Sequence, residues 1–398
     1  MLAVADQAAA GRPRSRCELA DIFREYGEKY RRDHSLPVSH LRIMRAVERC
    51  RTASLGGHMQ QCDSCGFERP AFNSCRNRHC PKCQSMAKTK WLEKQKSELL
   101  PVGYFHLVFT LPHELNRLVL INKKALINLL FQAVSETLLE FAQTHLKGTL
   151  GLTAVLHTWN QTLLDHFHLH CLVPAGALSF DQNRWTPARK NFLFHVKALS
   201  IVFRAKFLDF LNKAFDQKKL FFVGQSTPLA DPATFKLLLK ALRHKSWVVY
   251  AKEPFGSPEH VLDYLGRYTH RVALSNDRIC SVHHAEVTLR YRDRKNQQLK
   301  FVKLQADEFI RRFLLHVIPK GLMRVRHFGF LANRSKALLS TCRQLLDLNP
   351  ALPKLPRRSA HELMLALTGI DLSRCPLCQK GTLVFLANLP VPAPRDSS

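Results

Sequence analysis

The stretch HFHLHCLVP, residues 166–174, sets histidines at every second position along an apolar run. On a strand, residues two apart point to the same side. His168 and His170 therefore share one face, while Leu169 and Cys171 pack on the other. With Cα atoms roughly 6.5 Å apart, the two imidazoles can converge on one divalent cation. His166 lies too far along the strand to converge with both. A third ligand is expected from a neighbouring strand or loop. The upstream LHTWNQ offers His157 and Gln161, of which Gln161 is favoured for its proximity to the strand.

A His-x-His pair is also what a buried polar stripe looks like, so a second constellation has to decide. DYLGRYTH carries Tyr264 and Tyr268 four residues apart, on one face if the segment is helical. Ser257, Pro258 and Glu259 open it as an N-cap, a first-turn proline and a first-turn acid do. Gly266 between the tyrosines costs a helix roughly 1 kcal/mol relative to alanine. A cation held by two histidines and an amide or carboxylate polarises a scissile phosphate. A tyrosine hydroxyl attacking that phosphate forms a 5′-phosphotyrosine and releases a 3′-OH, while a second tyrosine can serve a second strand. One phosphodiester replaces another of similar energy, so no ATP is needed, and no GxxxxGK[ST] phosphate loop occurs.

The third constellation is CDSCGFERPAFNSCRNRHCPKC. Cys62-x2-Cys65 and Cys80-x2-Cys83 are separated by fourteen residues, the spacing of a closed tetrahedral zinc site with a structural role. Cys50, His58, Cys75 and His79 lie nearby and offer a second site or a replacement ligand. Cys375 and Cys378 form half a site, for which Cys342 and His361 are candidate partners. Arg76, Arg78 and Lys82, threaded through the knuckles, are expected to contact phosphates, as are Lys88 and Lys90 just after them.

Elements must hold these groups in place. Period-3.6 patterns predict helices over residues 17–51, after the knuckles, from 113 to about 146, over roughly 190–215 and over 230–243. YFHLVFTLP, TAVLHTW, HLHCLVPAGAL and SWVVYAKEP read as strands, and AEVTLRYRD with QQLKFVKLQ as a hairpin about RKN. The fold class is α+β. The chain divides into a loose tail (1–15), a zinc-binding DNA-recognition unit (16–98), a strand-rich catalytic unit (99–335) and a late helical segment with the second cysteine pair (336–398).

The whole composition points the same way. Lys and Arg total 60 against 31 Asp and Glu, a net charge of +29, which calls for a polyanionic partner such as nucleic acid. Basic residues spread along the chain, and no uninterrupted apolar run of about eighteen residues, argue against a membrane partner. Of twelve cysteines, seven fall between Cys17 and Cys83 and two form the late Cys375-x2-Cys378 pair, a clustering that suits a reducing, intracellular compartment and metal binding better than disulfides.

The sequence resembles the HUH-type two-tyrosine transposases of bacterial rolling-circle insertion sequences. The resemblance spans about residues 15–335 and rests on RTASLGGHMQQCDSCG, NSCRNRHCPKC, FTLPHELN, LHTWNQTLLDHFHLHCLVPAGALS, YLGRYTHRVALSN and MRVRHFGFLA. It implies an N-terminal zinc-binding domain joined to an antiparallel-sheet nuclease core flanked by helices. The metal role falls to His168 and His170 and the nucleophile role to Tyr264 and Tyr268; Arg267 and Arg271, on or next to the tyrosine face, are separately expected to neutralise the DNA backbone. The family often carries proline between the first two histidines of this stretch, where Phe167 stands. Structural Zn²⁺, catalytic Mg²⁺ or Mn²⁺, single-stranded element ends and hairpins as partners, and a cytoplasmic, nucleoid-associated location follow from the same resemblance. A plasmid-type replication initiator, a non-catalytic zinc-dependent DNA-binding protein and a metal-free tyrosine recombinase are the competing readings.

Overall fold

The computed structural model describes residues 17–255, 260–261, 266, 273–293, 296–353, 358–369 and 371–392. It is α+β with antiparallel sheets, as expected. The central sheet has five strands in the order β13 (Val325–Gly329), β5 (Gly151–Trp159), β6 (Asp165–Pro174), β3 (Tyr104–Thr110) and β9 (Val249–Phe255), each antiparallel to its neighbour.

Alternation along these strands sorts the side chains. Phe105, Leu107 and Phe109 of β3, Leu152, Ala154 and Leu156 of β5, and Phe167, Leu169, Cys171 and Val173 of β6 are buried in one core. That core is closed by helices α5 (Lys123–His145) and α6 (Val196–Asp216), through Leu130, Phe131, Leu138, Phe203 and Phe207. The helix α5 is long and apolar enough to pass the length test for a membrane span, but its apolar residues are buried against the sheet. The opposite face of the same strands carries His106, His157, His166, His168 and His170, in step with the period of two.

A second core explains why the N-terminal helices α1 (Leu19–Asp33) and α2 (Val38–Glu48) do not stand alone. Leu19, Ile22, Phe23 and Tyr30 form one apolar stripe on α1. They pack with Ile279, Val287 and Leu289 of the sheet β10 (Ile279–His283), β11 (Glu286–Arg292) and β12 (Leu299–Gln305), and with the helix Ala306–Leu315. Phe23 meets Phe313 edge-on, ring centroids 5.5 Å apart. The expected hairpin at 286–305 is present, in register from Glu286↔Gln305 to Arg292↔Leu299.

A third sheet joins distant parts of the chain. The knuckle strands β1 (Gly57–Cys62) and β2 (Glu68–Phe72) form a hairpin, and β14 (Leu383–Leu389) adds to the other edge of β1. Helix α3 (Pro81–Glu98) starts at the second cysteine pair and runs to the central sheet. There Trp91, Leu92 and Leu99 pack around Tyr104, Leu172 and Val261.

Candidate metal centres and basic clefts

His157, His168 and His170 are buried together on the open face of the central sheet, their candidate ligand atoms within 4.8 Å of one another. His168 and His170 bring their Nε2 atoms to 3.1 Å. The backbone explains the third member: antiparallel pairing sets His157 directly opposite His168. Asn160 shapes the connecting turn, its Oδ1 accepting the N–H groups of Thr162 at 2.9 Å and Leu164 at 3.0 Å. Gln161 sits in that turn and lines the rim of the cleft, with its carbonyl accepting from Arg278. His157 thus stands with His168 and His170, while Gln161, the third ligand favoured from the sequence, lies at the rim of the same cleft. His166 stays outside the group, as expected, and contributes its carbonyl instead.

Each ligand candidate is oriented from behind. His168 Nδ1 donates to the His166 carbonyl at 2.9 Å, which aims its Nε2 lone pair into the cluster. His170 Nδ1 lies 2.9 Å from His106 Nε2. Burial, and secondarily the charge of Lys252, hold His106 down to about 3, so its ring is neutral at pH 7. When His170 donates to it, the Nε2 lone pair of His170 faces that of His168, an arrangement that a cation between them stabilises. An octahedral ion with bonds of about 2.1 Å sets adjacent ligands about 3.0 Å apart, which matches the Nε2–Nε2 distance. The donor set thus fits a divalent cation. An all-imidazole set favours a transition ion, so of Mg²⁺ and Mn²⁺ the latter suits it better.

The cluster forms the floor of a cleft of about 610 Å³, lined also by Lys252, Arg278 and Arg292. Arg278 links three segments: it donates to the carbonyls of Arg290 at 3.1 Å, Ala273 at 3.3 Å and Gln161. Tyr264, Tyr268, Arg267 and Arg271 lie outside the described residues. Gly266, between the tyrosines, is helical and buried against α3. A Cβ added there would come within 3.0 Å of Lys88 Cε and 3.1 Å of Leu92 Cδ1.

The cysteines regroup. Cys62, Cys65, Cys80 and Cys83 do not converge on one point. Cys80 and Cys83 join Cys50 and Cys75, and Cys62 and Cys65 join Cys375 and Cys378. In the first quartet the Cys83 sulfur lies 3.6 Å from those of both Cys50 and Cys75, and Cys75 Sγ accepts the Asn77 N–H at 3.4 Å. Neither His58 nor His79 is in a quartet. His79 is buried, sharing its ring nitrogens with Asn77 Oδ1 and the Ile318 N–H. The candidate partners of the late pair are also displaced: Cys342 is buried in a separate apolar cluster, and His361 bonds Asp371 at 2.7 Å.

Two basic residues credited with phosphate contacts are committed elsewhere. Arg78 donates to the carbonyls of Leu322, Ile318 and Pro319 at 2.9, 3.0 and 2.7 Å, and Lys82 pairs with Glu18. Arg76 remains exposed, on the edge of a second cleft of about 850 Å³. Lys94, Lys124, Arg324, Arg326 and the ring of Trp91 line it, between α3 and the edge strand β13. Those cations come from four separate segments, so no local run of sequence revealed the patch.

The comparisons with known proteins agree with this architecture. Residues 151–338 match the family model described as "Putative transposase", and residues 22–111 match "Transposase zinc-binding domain". A relative from Sinorhizobium fredii, described as "Putative transposase y4qJ", is 48% identical over 383 residues, covering 94% of this chain and 96% of the relative. The "Transposase for insertion sequence element IS801" of Pseudomonas savastanoi pv. phaseolicola is 28% identical over 341 residues, 83% of this chain and 79% of the relative. No solved structure matches. The chain belongs to the IS91-type family of HUH transposases, DNA-processing proteins with an N-terminal zinc-binding domain.

Proposed function

We propose that this transposase nicks and rejoins single-stranded DNA at the ends of an insertion sequence, by rolling-circle chemistry through a 5′-phosphotyrosine. The observation that carries the reading is the buried trio His157, His168 and His170 at the floor of a cationic cleft. A Mn²⁺ or Mg²⁺ ion held there supplies Lewis acidity to a phosphate oxygen. Around it, His106 and the His166 carbonyl hold the ligand rings in the binding tautomers. Lys252 and Arg292 offset the charge of the backbone entering the cleft.

In the bond exchange, the hydroxyl oxygen of Tyr264 or Tyr268 attacks phosphorus, the P–O3′ bond breaks, and the 3′ oxygen leaves as a hydroxyl. A 3′-OH later attacks the phosphotyrosine and restores the tyrosine, so no external energy is consumed. The basic cleft beside α3 is the proposed track for DNA and hairpin ends, with Trp91 available for base stacking and Arg76 at its edge. Structural zinc holds the cysteine module, and the protein works at its DNA in the bacterial nucleoid.

The test is a denaturing gel of the purified protein with labelled single-stranded DNA from the element ends, with Mn²⁺ and with EDTA. A Mn²⁺-dependent adduct mapped to Tyr264 or Tyr268, lost in the Tyr264→Phe/Tyr268→Phe double variant, is expected. Tight binding without an adduct on any end sequence would overturn the nuclease reading in favour of a binding protein. An adduct at a plasmid origin in preference to element ends would point to replication initiation.

A further inference from the structure

The zinc-binding family match ends at residue 111, yet half of the second cysteine quartet comes from residues 375 and 378. We propose that Cys62, Cys65, Cys375 and Cys378 hold a second zinc ion, which joins the N-terminal module to the late segment of the chain. The inference is independent of the nuclease reading, since it concerns neither the histidines nor the tyrosines.

Sulfur spacing carries the argument. Cys62 and Cys378 lie 3.7 Å apart at their Sγ atoms, and so do Cys65 and Cys375. A tetrahedral zinc with bonds of about 2.3 Å requires edges of about 3.8 Å. A disulfide requires about 2.05 Å, so neither close pair is an oxidised bridge. The spacing equals that of the first quartet to within 0.1 Å, at 3.6 against 3.7 Å.

The surrounding backbone is built for the junction. Cys62 Sγ accepts the Ser64 N–H and Cys378 Sγ accepts the Gly381 N–H, each at 3.4 Å, bonds that favour thiolate over thiol. The two knuckles interlock through Asp63: its N–H donates to the Thr382 carbonyl at 3.1 Å, and its carboxylate accepts the Thr382 N–H at 2.8 Å. Gly381 is required at the contact, because a Cβ there would lie 2.5 Å from Cys62 Sγ and 2.6 Å from Ser64 Oγ. From the knuckles the chain runs directly into β14, whose pairing with β1 extends from Cys62↔Leu383 to Gly57↔Leu389. Four thiolates leave no open coordination position, so the ion is structural. A thiolate quartet also accepts iron, so the test must tell the two metals apart.

The experiment measures zinc and iron per chain by elemental mass spectrometry on the full-length protein, its Cys375→Ser/Cys378→Ser variant and its Cys80→Ser/Cys83→Ser variant. Two zinc ions in the wild type and one in each variant are expected. Amide exchange over residues 57–62 should rise in the late-pair variant and stay unchanged over residues 151–174. One zinc in the wild type, two retained in the late-pair variant, or iron in place of zinc overturns the assignment. Should a variant fail to fold, the wild type itself is titrated with a mercurial. The exposed Cys65 should make this quartet release its ion first, with Cys62, Cys65, Cys375 and Cys378 becoming alkylatable together. Alkylation of Cys375 and Cys378 without zinc release would refute the proposal.

Discussion

His157 on β5 and His168 on β6 are register partners whose ring centroids stand 5.3 Å apart in an edge-on arrangement. Cross-strand neighbours on one face are the unit through which a sheet builds a site. Here that unit delivers the third imidazole to the pair made by His168 and His170. If this trio binds the cation, His157→Ala should lower Mn²⁺ affinity and metal-dependent cleavage by at least about 100-fold. Gln161→Ala should retain most of both. Calorimetric Mn²⁺ titration of the two variants decides; equal losses would return Gln161 to the ligand set.

His106 acts through His170 and does not itself face the trio's centre. Replacing it with phenylalanine keeps a flat aromatic ring but removes the bond to His170 Nδ1. Mn²⁺ affinity should fall by about 10–100-fold, with the affinity for single-stranded DNA in EDTA unchanged. Electron paramagnetic resonance of bound Mn²⁺ should show the altered ligand field, a readout that simple loss of packing would not reproduce.

Arg76 and Arg78 are two residues apart and should behave differently. Arg76→Gln, and likewise Lys124→Gln in the same cleft, should weaken DNA binding. Each should reduce the slope of log affinity against log salt by about 0.7 for single strands. Arg78→Gln should leave the slope nearly unchanged and cost about 2 kcal/mol of stability, because three carbonyls lose a charged donor. Fluorescence anisotropy across a salt series, paired with urea melts, separates the two effects.

Acid should destabilise the fold through His316. Its Nε2 donates to the Leu163 carbonyl at 3.0 Å, and its Nδ1 accepts from Thr158 Oγ1 at 3.1 Å, so the neutral ring is fully bonded. Burial lowers its pKa from 6.5 to about 4. The unfolded chain therefore takes up this proton first as pH falls. Stability is complete above pH 6.5 and declines toward pH 4, by about 3 kcal/mol from this group. Urea midpoints at pH 7.5 and 4.5 should differ by less in His316→Gln than in the wild type; an identical difference would remove His316 from the account.

What could be read from the sequence was what repeats locally. The period of two along β3, β5 and β6 separates Phe109, Leu156 and Leu169 from the histidine face without any tertiary knowledge. The hairpin at 286–305 was equally plain. Proximity along the chain favours Gln161, whereas antiparallel pairing, which rewards positions equidistant from a turn, sets His157 opposite His168. Asn160, with its turn-forming amide, was the available clue, and it points to His157. Cys50 and Cys75 lie near enough in the sequence to stand out as candidate ligands, but the second quartet depends on long-range register, Cys65 and Cys375 being 310 residues apart. The helix cost of Gly266 is legible in the sequence, but its packing against the Lys88 and Leu92 side chains is not.

The pairing of β14 with β1 makes the order of synthesis matter. At about 5–20 residues per second, Cys62 and Cys65 leave the ribosome roughly 15–60 s before their counterparts. Throughout that interval β1 has one bare edge, open to chaperones or to another nascent chain. A message broken before codon 375 yields a polypeptide with every catalytic candidate intact and its first sheet unfinished. Chains truncated before residue 375 should therefore be cut by protease over residues 57–72 faster than the full-length protein.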